Sequence, residues 1–224
     1  MTQELIYWKG EKNIIKIFID AGHGGTDSGA IGNPIIEKDF NLLIANKVIS
    51  KLKEYECIVL SSRTSDKYMS LDERVELSNK NKCDCFISIH CNSSVNIATG
   101  FESYSFTGSS SLQNNVHNEI IKVIGLKDRG KKKANFYVLK HTKAKAILLE
   151  LGFINNKNDC VVLNSKIDLI VNAIVQGIVK EYEIKQKNGK YTVQLGVFND
   201  KANAQKLVDK LNNEGYDAII KASV

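Results

Sequence analysis

The sequence predicts an α/β protein: a mostly parallel sheet with helices on both faces, followed by a small C-terminal βαβ module. Three observations predict it. Short apolar runs and longer stretches of helical apolar spacing alternate from residue 14 to about 182, the pattern of a parallel sheet crossed by helices. A polar, lysine-rich stretch, EIKQKNGK from residue 183, then breaks the alternation. Beyond it a single strand–helix–strand pattern stands alone. The 224 residues suffice for one well-buried core and a small appendage. The expected division is 1–182, a linker at 183–189, and 190–224.

Each element has its own signal. IIKIFID, from residue 14, reads as a buried strand. From Asp39 to about Tyr55, Phe40, Leu43, Ile44, Val48 and Leu52 keep helical spacing. CIVLSSR is a second strand. SLDE at 70–73 is a capping box, in which hydroxyl and carboxylate satisfy each other's backbone N–H groups. It opens a helix running to about Asn79. CDCFISIHCN is a third strand, ending at His90, and GFESYSF a fourth. A helix is expected from about Ser111 to Ile124. FYVLK and AILLEL read as two more strands. A helix from about Ser165 to Glu183 places Ile167, Val171, Ile174, Val175 and Ile178 on one face. In the terminal unit, YTVQLGVF sets Tyr191, Val193, Leu195 and Val197 on one side of a strand. Ala204, Leu207, Val208 and Leu211 form an amphipathic helix closed by Gly215, and YDAII is the second strand.

Composition bounds the class. Hydrophobic residues at 43% and charged residues at 25% are ordinary for a globular chain. MTQELIYWKGEKN has no apolar signal-peptide core, and no run reaches the roughly 18 apolar residues of a membrane span. Synthesis in the cytoplasm without a signal peptide is the expectation. Five cysteines, an odd number, argue for reduced thiols, and no second pair stands at ligand spacing for a cysteine–zinc site. They read as small core or surface residues. Much of the net charge of +6 comes from DRGKKKANFYVLKHTKAK at 128–145. Such a run is a solvated face, or a surface for an anionic partner such as a cell-wall polymer or nucleic acid.

The chemistry concentrates at strand ends. IFIDAGHGGTDSGAIG occupies residues 17–32, with five glycines and His23 after the first strand. A phosphate loop is excluded in detail. Asp27 stands where a third glycine of G-x-G-x-x-G belongs, no Gly-Lys-Ser/Thr follows, and Asp20 and Asp27 would repel an anion. Acidic side chains around a histidine suit a cation. Glu37 follows in the loop-to-helix region, His90 ends the third strand and Glu150 the last, and open α/β sheets form their sites at such carboxyl ends. Two imidazoles and one carboxylate leave a tetrahedral zinc one open position for water, and a remaining carboxylate can take that water's proton. Structural readings compete: a strand-end histidine is often incidental, and a glutamate in a first helical turn serves the helix dipole. Glu150 is harder to dismiss, because it interrupts the apolar run AILLELGF, where an unpaired carboxylate costs several kcal/mol.

IFIDAGHGGTDSGAIG, EKDFNLLIA, SLDERVELSN, FISIHCNSS, DRGKKKANFYVL and AILLELGFINN, in this order, resemble the zinc-dependent N-acetylmuramoyl-L-alanine amidases over roughly residues 14–182. The resemblance implies that His23, Glu37 and His90 bind zinc and that Glu150 is the catalytic acid/base. It implies cleavage of the amide between N-acetylmuramic acid and L-alanine in peptidoglycan, with no nucleic-acid or membrane partner. One departure is KAKAILLE, where the family often has a proline before the last strand. Asn92, two residues past His90, is a candidate substrate contact. Asp20 either orients a ligand histidine or caps the glycine turn. Without a signal peptide, such an enzyme reaches the wall after lysis or through a holin-type lesion, as a phage endolysin or a sporulation amidase does. A non-catalytic wall-binding protein and another zinc hydrolase, a peptidase or deacetylase, are the alternatives.

The C-terminal unit resembles half of a SPOR domain, which implies binding to cell-wall glycan. Gln194 and Phe198 alternate away from the apolar strand face, toward that glycan. A 35-residue unit buries too little apolar surface to stand alone. It therefore docks on its own catalytic domain or pairs with a second copy about a twofold axis, and the solvated linker favours the homodimer.

Overall fold

Residues 14–32, 34–96, 98–108, 110–187, 195–216 and 218–220 are described by a computed structural model. The first unit holds the strands β1 (Lys16–Ala21), β2 (Ile58–Ser61), β3 (Cys85–Asn92), β4 (Phe101–Ser105), β5 (Asp128–Lys133) and β6 (Lys145–Phe153). Its helices are α1 (Glu37–Leu52), α2 (Leu71–Lys80), α3 (Ser111–Ile124), α4 (Tyr137–His141), α5 (Lys157–Ser165) and α6 (Ile167–Tyr182). The sheet order is β2-β1-β3-β6-β4-β5. β2, β1, β3 and β6 run parallel, β4 is antiparallel to β6, and β5 is parallel to β4.

Alternation along the strands builds two core layers. Ile17 and Ile19 of β1, Ile87 and Ile89 of β3, and Ile147 and Leu149 of β6 belong to one cluster with Ile44 and Val48 of α1, Val116 and Ile120 of α3, and Ile174 and Ile178 of α6. Phe18, Phe86 and Leu148 belong to the other, with Val75 of α2 and Val138 and Leu139 of α4. The Phe18 and Phe86 rings stack with centroids 5.3 Å apart. Burial on both faces explains why these strands read as continuous apolar runs. The capping box forms as expected: Ser70 accepts from Glu73 N, and Glu73 accepts from Ser70 N. Among the described residues no single helix is long and apolar enough to cross a membrane.

Three expectations are corrected. FYVLK is not a strand; it supplies the start of helix α4. Its buried residues, Val138 and Leu139, are consecutive while Phe136 and Tyr137 are exposed, a pattern that fits one helical turn and not alternation. The strand instead comes from the basic run DRGKKK, β5, which lies at the sheet edge. Lysines on an edge keep their charges in water and discourage edge-to-edge association. α6 bears out the helix expected from about Ser165, and ahead of it stands α5, which was not expected, capped by Asn156, whose side chain accepts from Asn158 N and Asp159 N. Finally, the polar stretch after α6 is docked up to Lys187. Ile184 is buried, Glu56 N donates to Lys185 O (2.9 Å) and Lys187 N to Glu54 O (2.8 Å). Backbone pairing is indifferent to side-chain polarity, so composition did not reveal it. The chain divides into one unit ending at Lys187 and another beginning at Asn188.

In the second unit α7 (Lys201–Asn213) is capped by Asp200, which accepts from Ala202 N. Ala204, Leu207, Val208 and Leu211 are its less exposed positions, on the expected face. Tyr191, Val193 and Gln194 lie outside the described residues. Residues 195–198 and 218–220 show no strand pairing, and Leu195, Val197 and Ile219 are exposed.

Candidate metal and catalytic centre

The two-residue period that builds the smaller core layer also builds the site. On that face β1 presents Phe18 then Asp20, β3 presents Phe86, Ser88 and His90, and β6 presents Leu148 then Glu150. Apolar residues come first and polar ones follow toward the carboxyl ends of the parallel strands, where α/β sheets open their crevices. His90 pairs in register with Glu150, so both side chains leave the same face of the sheet.

His23 and Glu37 come in from loops. Gly24 and Asp27 exchange backbone hydrogen bonds (2.8 and 3.1 Å), closing a tight turn after His23. Asp27 accepts from Gly29 N through one oxygen and contacts His23 Nδ1 at 2.9 Å through the other. Glu37 is the first residue of α1. Its Oε2 accepts from Ala30 N (2.8 Å) and its Oε1 from Cys91 N (3.1 Å). Glu37 Oε1 lies 3.1 Å from both His23 Nε2 and His90 Nδ1. One donor atom from each of the three residues falls within 4.8 Å of the others. The glycines make room for this. A Cβ on Gly22 would sit 2.2–2.6 Å from atoms of the His90 ring, and one on Gly29, at φ +63°, would sit 2.6 Å from Glu37 Oε2 and from His23 Cδ2.

Two buried arginines pin the loop, and neither was foreseen. Arg63 Nε donates to Ala21 O and its Nη2 to Gly22 O and Lys38 O. Arg74, on α2, donates through Nη1 to Asp20 Oδ1 (2.6 Å) and Ala21 O, and through Nη2 to His23 O. Asp20 accepts also from Ser88 Oγ. Asp20 therefore neither orients an imidazole nor caps the turn; Asp27 holds the His23 ring, and Asp20 holds Arg74. Asn92 donates to Glu102 Oε1 (2.7 Å) and accepts from Ser93 N, so both ends of its amide are bound within the protein. Phe198 is described and exposed in the second unit; Gln194 is not among the described residues.

Electrostatics separate the two site glutamates. Burial opposes ionisation of Glu37, but hydrogen bonds from His23 and His90 prevail and hold it well below the usual carboxylate range. Burial also works against a charged His23, yet Glu37 and Asp27 push its pKa up to about 9. Burial dominates at Glu150, with Glu37 and Glu102 adding repulsion, and lifts its pKa to about 7. Its Oε2 is buried without a hydrogen-bond partner among the described residues.

Fold and donor set define an α/β protein with a candidate metal-hydrolase centre at the carboxyl end of its sheet. The chain belongs to the N-acetylmuramoyl-L-alanine amidase family, whose pattern it matches over residues 17–180, and residues 187–224 match the SPOR domain. It is 40% identical to the sporulation-specific N-acetylmuramoyl-L-alanine amidase of Bacillus subtilis over 92% of this chain and 84% of that protein. The endolysin of Bacillus phage SPP1 is 38% identical over 77% of this chain and 68% of its own length. Among solved structures, the catalytic domain of the amidase CwlV from Bacillus (Paenibacillus) polymyxa var. colistinus superposes with a TM-score of 0.74 at 34% identity. That match covers 77% of this chain and all of that domain.

Proposed function

We propose that the protein is a zinc-dependent hydrolase of peptidoglycan that cleaves the amide between N-acetylmuramic acid and the L-alanine of the stem peptide. The observation that carries this is Glu150: a buried carboxylate oxygen without a partner among the described residues, on the same face as His90 and beside the convergent atoms of His23, Glu37 and His90. The donor set fits zinc, since two imidazoles and a carboxylate are a common three-ligand catalytic set. The glycine cradle, which a Cβ at 22 or 29 would fill, supports the same assignment.

Bound there, zinc supplies Lewis acidity toward water and toward the amide carbonyl oxygen. The chain's own residues do the rest. Asp27 orients His23, and the backbone N–H groups of Ala30 and Cys91 orient Glu37. Glu150 takes a proton from the attacking water and returns it to the leaving alanine nitrogen. A pKa of about 7 suits a group that must do both near neutral pH. Digestion of purified peptidoglycan, with and without chelator, tests the reading. New N-terminal alanine without new reducing sugar, abolished by chelator, is expected; new reducing ends point to a glycosidase and refute it.

The second unit is assigned to glycan binding through Gln194 and Phe198, and to pairing with a second copy. Leu195, Val197, Tyr216 and Ile219 are exposed, and a twofold partner would cover such an apolar surface. Light scattering should give a dimer for the full chain and a monomer for a chain ending at Lys187; a monomeric full chain at tens of micromolar rules pairing out. The sporulation setting is favoured over the phage one, because the sporulation-specific relative aligns over 92% of the chain and the endolysin over 77%. Expression confined to sporulating cells is the expected outcome.

A further inference from the structure

A polar row runs across the sheet away from the donor cluster. His90 on β3 pairs with Glu150 on β6, and Glu150 with Glu102 on β4. The β4–β5 pairing shifts between Phe101 and Ser103, so that Arg129 and Gly130 stand opposite Glu102. Glu102 is 2% exposed, and four donors saturate it. Oε1 accepts from Asn92 Nδ2 (2.7 Å) and Tyr104 Oη (2.8 Å), and Oε2 from Arg129 Nε (2.8 Å) and Lys132 Nζ. So held, Glu102 is a fixed anchor and not a carrier of protons.

What it anchors is Arg129. The guanidinium lies over the Phe153 ring, 4.8 Å from its centroid. Its stem crosses Gly100, where a Cβ would come within 2.9 Å of Arg129 Cγ. Only Nε is engaged; Nη1 and Nη2 have no hydrogen-bond partner among the described residues, and the side chain is 30% exposed. An arginine locked on three sides with its two-N–H fork free is prepared for bidentate contact with a carboxylate. Lys132 beside it gives the Glu102–Arg129–Lys132 group a net charge of +1. Arg129 stands two strands from Glu150, roughly 10 Å, a span of about three extended residues.

We infer that Arg129, seconded by Lys132, is a specificity-determining residue that receives a stem-peptide carboxylate on the β5 side of the centre. This rests on the amidase reading. The group is placed on the peptide because the acetylated sugar is uncharged where it meets the cleaved amide, whereas the stem peptide offers carboxylates within that span.

The test uses the zinc-loaded full chain and two synthetic muropeptides. They are identical except that the stem residue after alanine carries a carboxylate in one and a carboxamide in the other. The parent should prefer the carboxylate form by roughly tenfold to a hundredfold in kcat/KM, mostly through KM, the usual worth of a hydrogen-bonded charge. Arg129→Gln should bring that ratio close to one, with Arg129→Lys between them. Calorimetry of the two released stem peptides on Glu150→Gln should show the same preference without turnover. Equal handling of both substrates by the parent, or a loss in Arg129→Gln that is the same for both, overturns the inference. Failure of the parent to cut either muropeptide refutes the amidase reading instead, and the calorimetric preference then decides Arg129 alone. If Arg129→Gln does not fold, the parent's ratio and Arg129→Lys still decide.

Discussion

Replacing Glu150 by glutamine should abolish turnover and make the protein more stable at alkaline pH. The carboxyl titrates near 4.5 in an unfolded chain and near 7 in the folded one. Between those values the folded state holds a proton that the unfolded state has released, so stability falls as pH rises through the window. The difference of about 2.5 units corresponds to about 3 kcal/mol, absent below pH 4.5 and fully expressed above pH 7. Glutamine keeps the shape and cannot ionise. The gap between variant and parent should therefore widen by about 3 kcal/mol from pH 4.5 to pH 8, in favour of the variant. Urea unfolding of both proteins at several pH values, with chelator present so that metal affinity does not enter, measures it. His23 and Glu37 titrate in both proteins and cancel to first order in the difference. A gap that stays constant with pH would show that Glu150 is not held protonated by burial. The same variant should retain zinc when loaded; loss of zinc would reassign Glu150 as a ligand.

His23→Ala and His90→Ala should each lose metal as measured by mass spectrometry of the purified protein, and full zinc occupancy in either would remove that residue from the site. Zinc must displace a proton from His23, whose pKa is about 9, so apparent affinity should climb up to tenfold per pH unit from pH 6 to 8; affinity that does not change with pH contradicts the His23–Glu37 pairing. Arg74→Met leaves Asp20 buried with only Ser88 as partner and should cost about 3–5 kcal/mol in urea unfolding. A loss under about 1 kcal/mol would mean that the loop does not depend on that ion pair.

Most of the sheet strands were legible as apolar runs, and two of the four candidate site residues stood out because they broke such runs. His90 and Glu150 end apolar runs, and a charged or polar residue in such a place needs a reason on the protein's own energy scale. Their register, His90 opposite Glu150, puts both side chains on one face of the sheet. Arg63 and Arg74 broke no pattern. Arg74 sits within a capping-box helix where an arginine is ordinary, and its partner Asp20 lies 54 residues away. A pairing at that separation leaves no trace in periodicity. The basic run 128–145 failed differently: charge was read as solvated surface, and the edge of a sheet is one of the few places where a strand is itself such a surface.

The same reasoning separates the two glutamates that face each other across β6 and β4. Glu102 and Glu150 are neighbours in register on adjacent strands. Glu102 is surrounded by four donors, two of them cationic, and stays ionised. Glu150 has an oxygen with no donor among the described residues and is pushed toward neutrality by burial and, in part, by the fixed charge of Glu102. Arg129 and Lys132 thus have an effect beyond their own contacts. By neutralising Glu102 they limit how far its charge raises Glu150, which leaves that carboxyl titrating near 7. Removing either cation should move the acid limb of the pH–rate profile to higher pH, the direction set by an uncompensated negative neighbour. A profile that shifts the other way would mean that Glu102 and Glu150 do not share a field.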